Sequence, residues 1–547
     1  MKVAIGLLCA AAAAGLAGAA ELPVFVHVTA EAGIDFKHSY GDHELDNIVE
    51  GTGSGACFLD YDNDGFLDIY FVNGAWTRGV SDNRGRDLRD KLRNQLFRNR
   101  GDGTFEDVTG ASGTGDMTFS SGCSAADYNN DGNVDLYVLN YGRNVLYRNN
   151  GDGTFTDVSK AAGLDLPRWS LHAVWLDYDK DGWLDVYVAN YLRYDEGKFR
   201  DFYPVQGYPG PLSYAGEPDL HYRNNGDGTI TDVTAETGLT VGDGRAMSVS
   251  AADLTNRGEL GIYVTNDAME NFYFEQETPG KFTDRAPELN LAWGENGQNV
   301  ASMGPAIGDI DRNGRLDVFV PDLRYCTMLM NYEHGFDFFT EKAGLAVVMG
   351  QYTAWGPVLF DYDNDGWLDL YTSHGNAHHE YVEEDTLVRN KGDGTFHDVS
   401  DQSGPYFREK YVGRGAAYAD YDNDGDLDIL VVNLNDYPNL LRNDGGNRRN
   451  WLQVDARLEF PTGQRLAIGA RVTVTAGDLK QVEDVNPVRG YLSQSDPRPH
   501  FGLGAAAAAD SVEIVWPDGA RETFTNVKAN QVLKLIRRAT ATKRSEP

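Results

Sequence analysis

Cysteine, positive charge and long apolar runs are all scarce in this chain. Only 4 of its 547 residues are cysteine, too few for the disulfide framework that staples many small exported domains. Cys9 falls in the N-terminal segment, which leaves Cys57, Cys123 and Cys326. Three thiols cannot all pair with one another, and the expectation is buried free thiols, with a Cys57–Cys123 bridge as the alternative. Lysine and arginine number 48 against 83 aspartates and glutamates, for a formal charge of −35. That deficit argues against nucleic acid and against anionic membrane surfaces as partners. Past the N-terminus no segment is apolar enough to cross a bilayer, so no transmembrane segment is expected in the mature chain. The N-terminus itself carries Lys2, an apolar run over residues 3–16 and the small residues Ala17, Gly18, Ala19 and Ala20. This pattern reads as a cleavable export signal over residues 1–20, which makes the protein periplasmic or secreted. Neither a nucleophile elbow nor an HExxH motif is present.

What the chain has in abundance is one acidic nonapeptide. DYDNDGFLD at residues 60–68 is followed by relatives that start at Asp127, Asp177, Asp253, Asp309, Asp361 and Asp420. Acidic or amide side chains recur at loop positions 1, 3, 5 and 9, with glycine at position 6. Ca²⁺ takes about six to eight hard oxygen ligands, and glycine permits the sharp turn that wraps a short loop around it. The expected ligands are Asp60, Asp62, Asp64 and Asp68, then Asp127, Asn129, Asp131 and Asp135, then Asp177, Asp179, Asp181 and Asp185. In the later copies they are Asp309, Asp311, Asn313 and Asp317, then Asp361, Asp363, Asp365 and Asp369, then Asp420, Asp422, Asp424 and Asp428. Six loops are therefore expected to hold Ca²⁺, the second and fifth more weakly because Asn129 and Asn313 replace carboxylates. The fourth, DLTNRGELG, is expected to stay empty. Thr255, Arg257 and Gly261 stand at its positions 3, 5 and 9, and Arg257 brings its own charge to where an ion would sit. Asp, Asn and Gly also build ordinary turns, but repetition at intervals of 50 to 76 residues favours metal loops.

Each loop lies between two strand-like runs, a small glycine-containing one before it (GACFL, GPVLF) and an alternating one after it (DIYFVN, DVYVAN). Two further strands follow around a tight turn, as in LFRNRGDGTFEDV, where Asp-Gly suits a two-residue hairpin. Four short strands per repeat and seven repeats predict an all-β fold, a seven-bladed β-propeller over residues 21–445. The entering stretch FVHVTAEAGI resembles a fourth strand, and the seventh repeat lacks one. The N-terminal strand is therefore expected to complete the last blade and remove a free edge.

The residue thirteen places after each loop start is polar: Asn73, Asn140, Asn190, Asn266, Asp322, His374 and Asn433. At the ends of the second strands these would ring the channel on the face away from the acidic loops. They are candidate ligand-binding residues, and the alternative is that they cap strand ends. Long insertions fall on the same face, and that over residues 191–220 adds Tyr194, Tyr203 and Tyr208 as candidates for receiving a protein or glycan, with packing over the blade edge as the alternative. His378, His379 and Glu380 form a weak metal cluster in a further loop. After residue 445 the pattern changes to WLQVDARL, ARVTVTAG and SVEIVWPDG, a second, smaller all-β domain over residues 446–538 with a polar tail over 539–547.

The acidic repeats resemble the FG-GAP/VCBS family of calcium-loop blades. GARVTV, RGYLSQSDPRPHFGLG and SVEIVWPDG resemble an ASPIC/UnbV domain. The combination is similar to bacterial members of the cartilage acidic protein family, which implies an exported calcium-binding propeller with a C-terminal β module and no known reaction. The expected function is non-enzymatic binding of an extracytoplasmic protein or glycan. Two alternatives are a structural part of an exported or surface assembly, and a hydrolase or lyase drawing on Glu50, His172, Asp322 or His374.

Overall fold

The computed structural model describes residues 22–195, 207–240, 242 and 244–539. The expected export signal, Tyr203 and the tail beyond residue 539 lie outside them. The described strands up to residue 444 form seven antiparallel four-stranded units. In the first, Ala56–Leu59, Asp68–Phe71, Gln95–Asn99 and Phe105–Asp107 pair in that order. The acidic loop joins the first two strands of every unit, and the fold is an all-β propeller. Val24–His27 pairs with Asn439–Asp444, so the N-terminal strand does complete the unit that the chain's end leaves short. One strand, Pro167–Leu176, also reaches across to Asp135–Arg143 and joins the second and third units into one sheet.

The hydrophobic patterning explains how the units stack. Inward residues of one unit pack on those of the next, as Phe58 and Ile69 do with Ala417 and Leu430, and Cys57 and Tyr70 with Leu136 and Val138. Polar staples repeat with the same period. The asparagine that ends each third strand donates its side-chain amide to a carbonyl in the preceding unit: Asn149 to Tyr61 at 2.7 Å, Asn224 to Tyr128 at 2.8 Å, and Asn99 to Tyr421 at 2.8 Å across the closure. In the fourth unit Gln276 takes the role, bonding Tyr178 at 2.7 Å. Cys57 and Cys123, on innermost strands of adjacent units, form a disulfide, while Cys326 is free and buried. The expectation of free thiols at Cys57 and Cys123 is corrected. Strand neighbours 66 residues apart in sequence are brought face to face only by closure of the ring. The GDGT hairpin is corrected too. Arg100 N bonds Thr104 O, so Gly101, Asp102 and Gly103 make a three-residue turn with φ of 70° and 82° at its glycines.

The C-terminal module is two sheets around one apolar core that includes Leu452, Val472, Phe501 and Trp516. It sits on the acidic-loop face, and residues 486–496 thread the propeller's channel. There Phe58 N donates to Gln494 O and Gln494 N to Ala56 O, both at 3.0 Å. Ala125 N donates to the Gln494 side chain at 2.8 Å, and Ser248 Oγ to Gly490 O at 2.9 Å. The glycines before the loops follow from this approach. A Cβ on Gly55 would lie 2.0 Å from Leu492 O, and one on Gly304 would lie 2.4 Å from the backbone of Gly490 and Tyr491.

Candidate functional site

In every acidic loop position 4 turns the backbone through the left-handed region, as at Asn63 (φ 58°) and Asn364 (φ 55°), and the glycine at position 6 follows it. The turn aims two amides at the first carboxylate. Asp64 N and Gly65 N each donate to Asp60 at 3.1 Å, and Asp365 N and Gly366 N donate to Asp361 at 3.0 and 2.7 Å. Position 9 opens the second strand and ties loop to sheet. Asp68 accepts from Tyr61 N at 3.0 Å and from Asn99 N at 2.8 Å. Position 5 uses one oxygen on the turn, Asp64 accepting from Phe66 N, Asp131 from Asn133 N and Asp424 from Asp426 N.

Three carboxylates bring oxygens within 4.8 Å of one another in five loops: Asp60, Asp62 and Asp68; Asp177, Asp179 and Asp185; Asp309, Asp311 and Asp317; Asp361, Asp363 and Asp365; Asp420, Asp422 and Asp428. Of the other expected carboxylate ligands, Asp64, Asp181 and Asp424 stand outside these triads, as does Asp369 in the sixth loop. The second loop, with Asp127, Asp131 and Asp135, forms no such triad, and there Asn129 Nδ2 donates to Asp131 at 2.9 Å. Asp62 Oδ1, Asp309 Oδ1, Asp363 Oδ1, Asp369 Oδ2 and Asp422 Oδ1 are shut off from solvent with no hydrogen-bond partner among the described residues. Leaving such a group unsatisfied costs about 1–3 kcal/mol, and more when it is charged. The partner oxygens are held from outside. Arg98 Nε donates to Asp62 Oδ2 at 2.7 Å, and Arg389 Nε to Asp363 Oδ2 at 2.8 Å. Burial lifts Asp177 and Asp309 to about 7. Burial, with the charges of Asp363 and Asp365 added, holds Asp361 and Asp369 well above the ordinary carboxylate range. Carboxylates this close resist joint ionisation unless a cation lies among them. The donors are oxygen throughout, and they fit a hard divalent cation.

The fourth loop reverses the charges. Glu275 occupies the third-strand place that Arg98 holds in the first unit. Arg257 pairs with it at 3.1 Å, Arg285 approaches at 3.5 Å and the Thr255 hydroxyl also donates to it. Asp253 keeps its two loop amides, from Arg257 N at 3.0 Å and Gly258 N at 2.7 Å. The cation that faces Asp253 is Arg471 of the C-terminal module, at 3.6 Å. The expectation that Arg257 fills the ion's place is therefore corrected, because the strand glutamate draws its guanidinium aside. The C-terminal module brings further arginines to this face: Arg449 pairs with Asp363 at 2.8 Å, Arg465 donates to Gly182 O, and Arg498 donates to Asp420 O and Asn423. No local pattern in the sequence marks these residues as loop partners.

On the opposite face the seven polar candidates are buried strand caps. Their side-chain amides donate to turn carbonyls: Asn73 to Lys37 O, Asn140 to Arg143 O, Asn190 to Pro218 O, Asn266 to Glu270 O and Asn433 to Tyr437 O. His374 Nδ1 donates to Glu384 O, and Asp322 accepts from Ala301 N and Leu323 N. As an open recognition ring they are corrected: six donate to backbone carbonyls, Asp322 accepts from two backbone amides, and all seven are buried. Tyr208 and Tyr214 are buried in an apolar cluster with Trp169, Trp355, Tyr491 and Leu492, and Tyr194 packs against it, so the aromatic insertion closes the channel mouth. Glu380 accepts from Tyr40 and Asn435, and His378 lies against Tyr208; with His379 they form no acidic–histidine cluster among the described residues. Glu50 is buried and lifted to about 8 by burial, while His172 bonds Ser248.

Residues 60–138, 127–188 and 361–431 match the FG-GAP-like repeat, and residues 460–543 match ASPIC and UnbV. Cartilage acidic protein 1 of Homo sapiens is 25% identical over 332 residues, 58% of this chain and 48% of that protein. Its Xenopus tropicalis counterpart is 26% identical over 306 residues, 53% of this chain and 44% of that protein. The chain thus spans about half the length of these relatives. A solved Agrocybe aegerita lectin that recognises non-reducing terminal N-acetylglucosamine aligns at 17% identity and a TM-score of 0.38, over 70% of this chain and 86% of the lectin. That likeness is too low to bear on what this chain binds.

Proposed function

Starting from a chain of FG-GAP-like repeats that ends in an ASPIC/UnbV module and is homologous to cartilage acidic protein 1, we propose that it is an exported, non-enzymatic binding protein whose propeller is braced by Ca²⁺. The observation that carries the calcium reading is the set of buried carboxylate oxygens without partners at Asp62, Asp309, Asp363, Asp369 and Asp422. Five loops would each hold an ion on an acidic triad. The second would hold one more weakly through Asp127, Asn129, Asp131 and Asp135, and the loop at Asp253 none. Ions there, together with the arginines of the C-terminal module, would fix that module on the acidic face and leave the opposite face to an extracytoplasmic protein or glycan. Support for a binding role is the dispersal of the acid–base candidates. Glu50, His172, Asp322 and His374 are each bonded separately, and no pair of them shares a hydrogen bond.

Metal-depleted protein titrated with Ca²⁺ and measured by elemental analysis is expected to take up six ions, those of the second and fifth loops more weakly. Uptake of one or none would refute the calcium reading. A screen of glycans and exported proteins against the calcium-loaded chain is expected to return a partner that is released unchanged. Turnover of a captured partner would refute the non-enzymatic one.

A further inference from the structure

At the channel mouth, on the face opposite the acidic loops, lies a cavity of about 90 Å³. Its walls include Tyr191, Tyr208, Trp355, Met247 and Met303, and its charged wall residue is Asp267. The carboxylate is 8% exposed. Its Oδ2 accepts from the Tyr191 hydroxyl at 2.6 Å, and among the described residues it has no ion-pair partner. Arg245 is its neighbour on the paired strand, with Asp267 N donating to Arg245 O at 2.9 Å; its guanidinium acts on the carboxylate electrostatically and donates to Pro211 O, Tyr214 O and the Met269 sulfur, among other contacts. The other nearby cation, Arg414, is fully buried behind the cavity. It lies 3.9 Å from the Trp355 ring and donates to Gly51 O, Gly413 O and Asn376 O. Burial lifts Asp267 to about 6, with the Tyr191 bond and Arg245 opposing.

A buried carboxylate without an ion-pair partner is costly. The backbone here is also held in an unusual form. Ala268, next to the carboxylate, has φ 58°, and Arg324, next to the exposed rim residue Leu323, has φ 57°. Non-glycine residues in that region persist where the surrounding structure imposes them, and they cluster at binding sites. Methionine and aromatic walls suit an unbranched alkyl chain, whereas the hydroxyls of a sugar ring would find few partners on them.

We propose that this cavity receives an alkylammonium group, the end of a lysine side chain on a partner protein, with Asp267 as its counter-charge and the Tyr191, Tyr208 and Trp355 rings as its walls. The proposal rests on the reading of the chain as a binding module and names the chemistry of its ligand.

The test is titration of the calcium-loaded full chain with n-butylammonium and with Nα-acetyl-lysine methylamide, read by calorimetry, with 1-butanol and glucosamine as comparisons. Both amines are expected to bind, and butanol to bind at least about tenfold more weakly. Asp267→Asn keeps the shape and an acceptor for Tyr191, and it is expected to lose the same factor. Leu323→Trp, at the rim, is expected to weaken binding without affecting folding. Equal affinity for butanol, unchanged affinity in Asp267→Asn, or a preference for glucosamine would overturn the proposal. If neither amine binds while a protein partner is still captured by the same preparation, the cavity assignment fails and the binding-module reading stands.

Discussion

The fourth and sixth acidic loops share a backbone and differ in the sign of their charges. In the sixth, Asp363 and Asp365 of the loop meet Arg389 of the third strand, and the C-terminal module adds Arg449. In the fourth, Arg257 of the loop meets Glu275 of the third strand, and the C-terminal module adds Arg471 opposite Asp253. Both keep the two amide bonds to the first aspartate and a left-handed residue at position 4. Loop shape therefore survives the exchange of acidic for other side chains at positions 3, 5 and 9. What differs is that the fourth loop balances its charges with side chains, while the sixth is left with Asp363 Oδ1 and Asp369 Oδ2 buried and unpartnered.

The C-terminal module is common to both loops, so its removal should have the largest effect. A chain ending at residue 445 loses Arg449, Arg471 and the segment threaded through the channel, and it is expected to give no soluble monomer by size-exclusion chromatography. Recovery of a compact, calcium-responsive propeller would show that the arginines are dispensable. Chelation comes next. An ion present at a thousand times its dissociation constant stabilises by about 4 kcal/mol, so a chelator should lower the melting temperature of the full chain by several degrees in calorimetry. An unchanged melting temperature would mean that every loop is braced as the fourth is. The smallest effects separate the two loops directly. Asp363→Asn is expected to reduce the ion count by one. Glu275→Gln is expected to leave the count unchanged and to cost about 1–3 kcal/mol through the loss of a buried partner for Arg257 and Arg285. A lower ion count in Glu275→Gln would show that the fourth loop holds metal.

Much of the frame was legible because it is periodic. The DYDNDG loops, the alternation of DIYF and DVYV, and the fourth strand missing from the seventh repeat each express a local rule about turns or pleats. Charge reversal in the fourth loop was half legible. Arg257 stood out at position 5, but its partner Glu275 lies 18 residues on in a strand that has lost the RN signature, so the pairing needed coordinates. The polar residues ending the second strands were legible as positions and not as roles. Asn140 and Asn190 look like recognition groups until Arg143 O and Pro218 O are seen to take their amides.

The sequence by itself determined the repeat, the acidic loops with their donor types, and the closure of the last blade by the first strand, because turn geometry and side-chain alternation act over a few residues. Only the tertiary structure decided the Cys57–Cys123 pairing, the threading of residues 486–496 through the channel and the burial of Asp267 against Tyr191. Each of these joins segments far apart in the chain. Burial, which makes an unpaired carboxylate or a facing pair of thiols matter, exists only once the ring has closed.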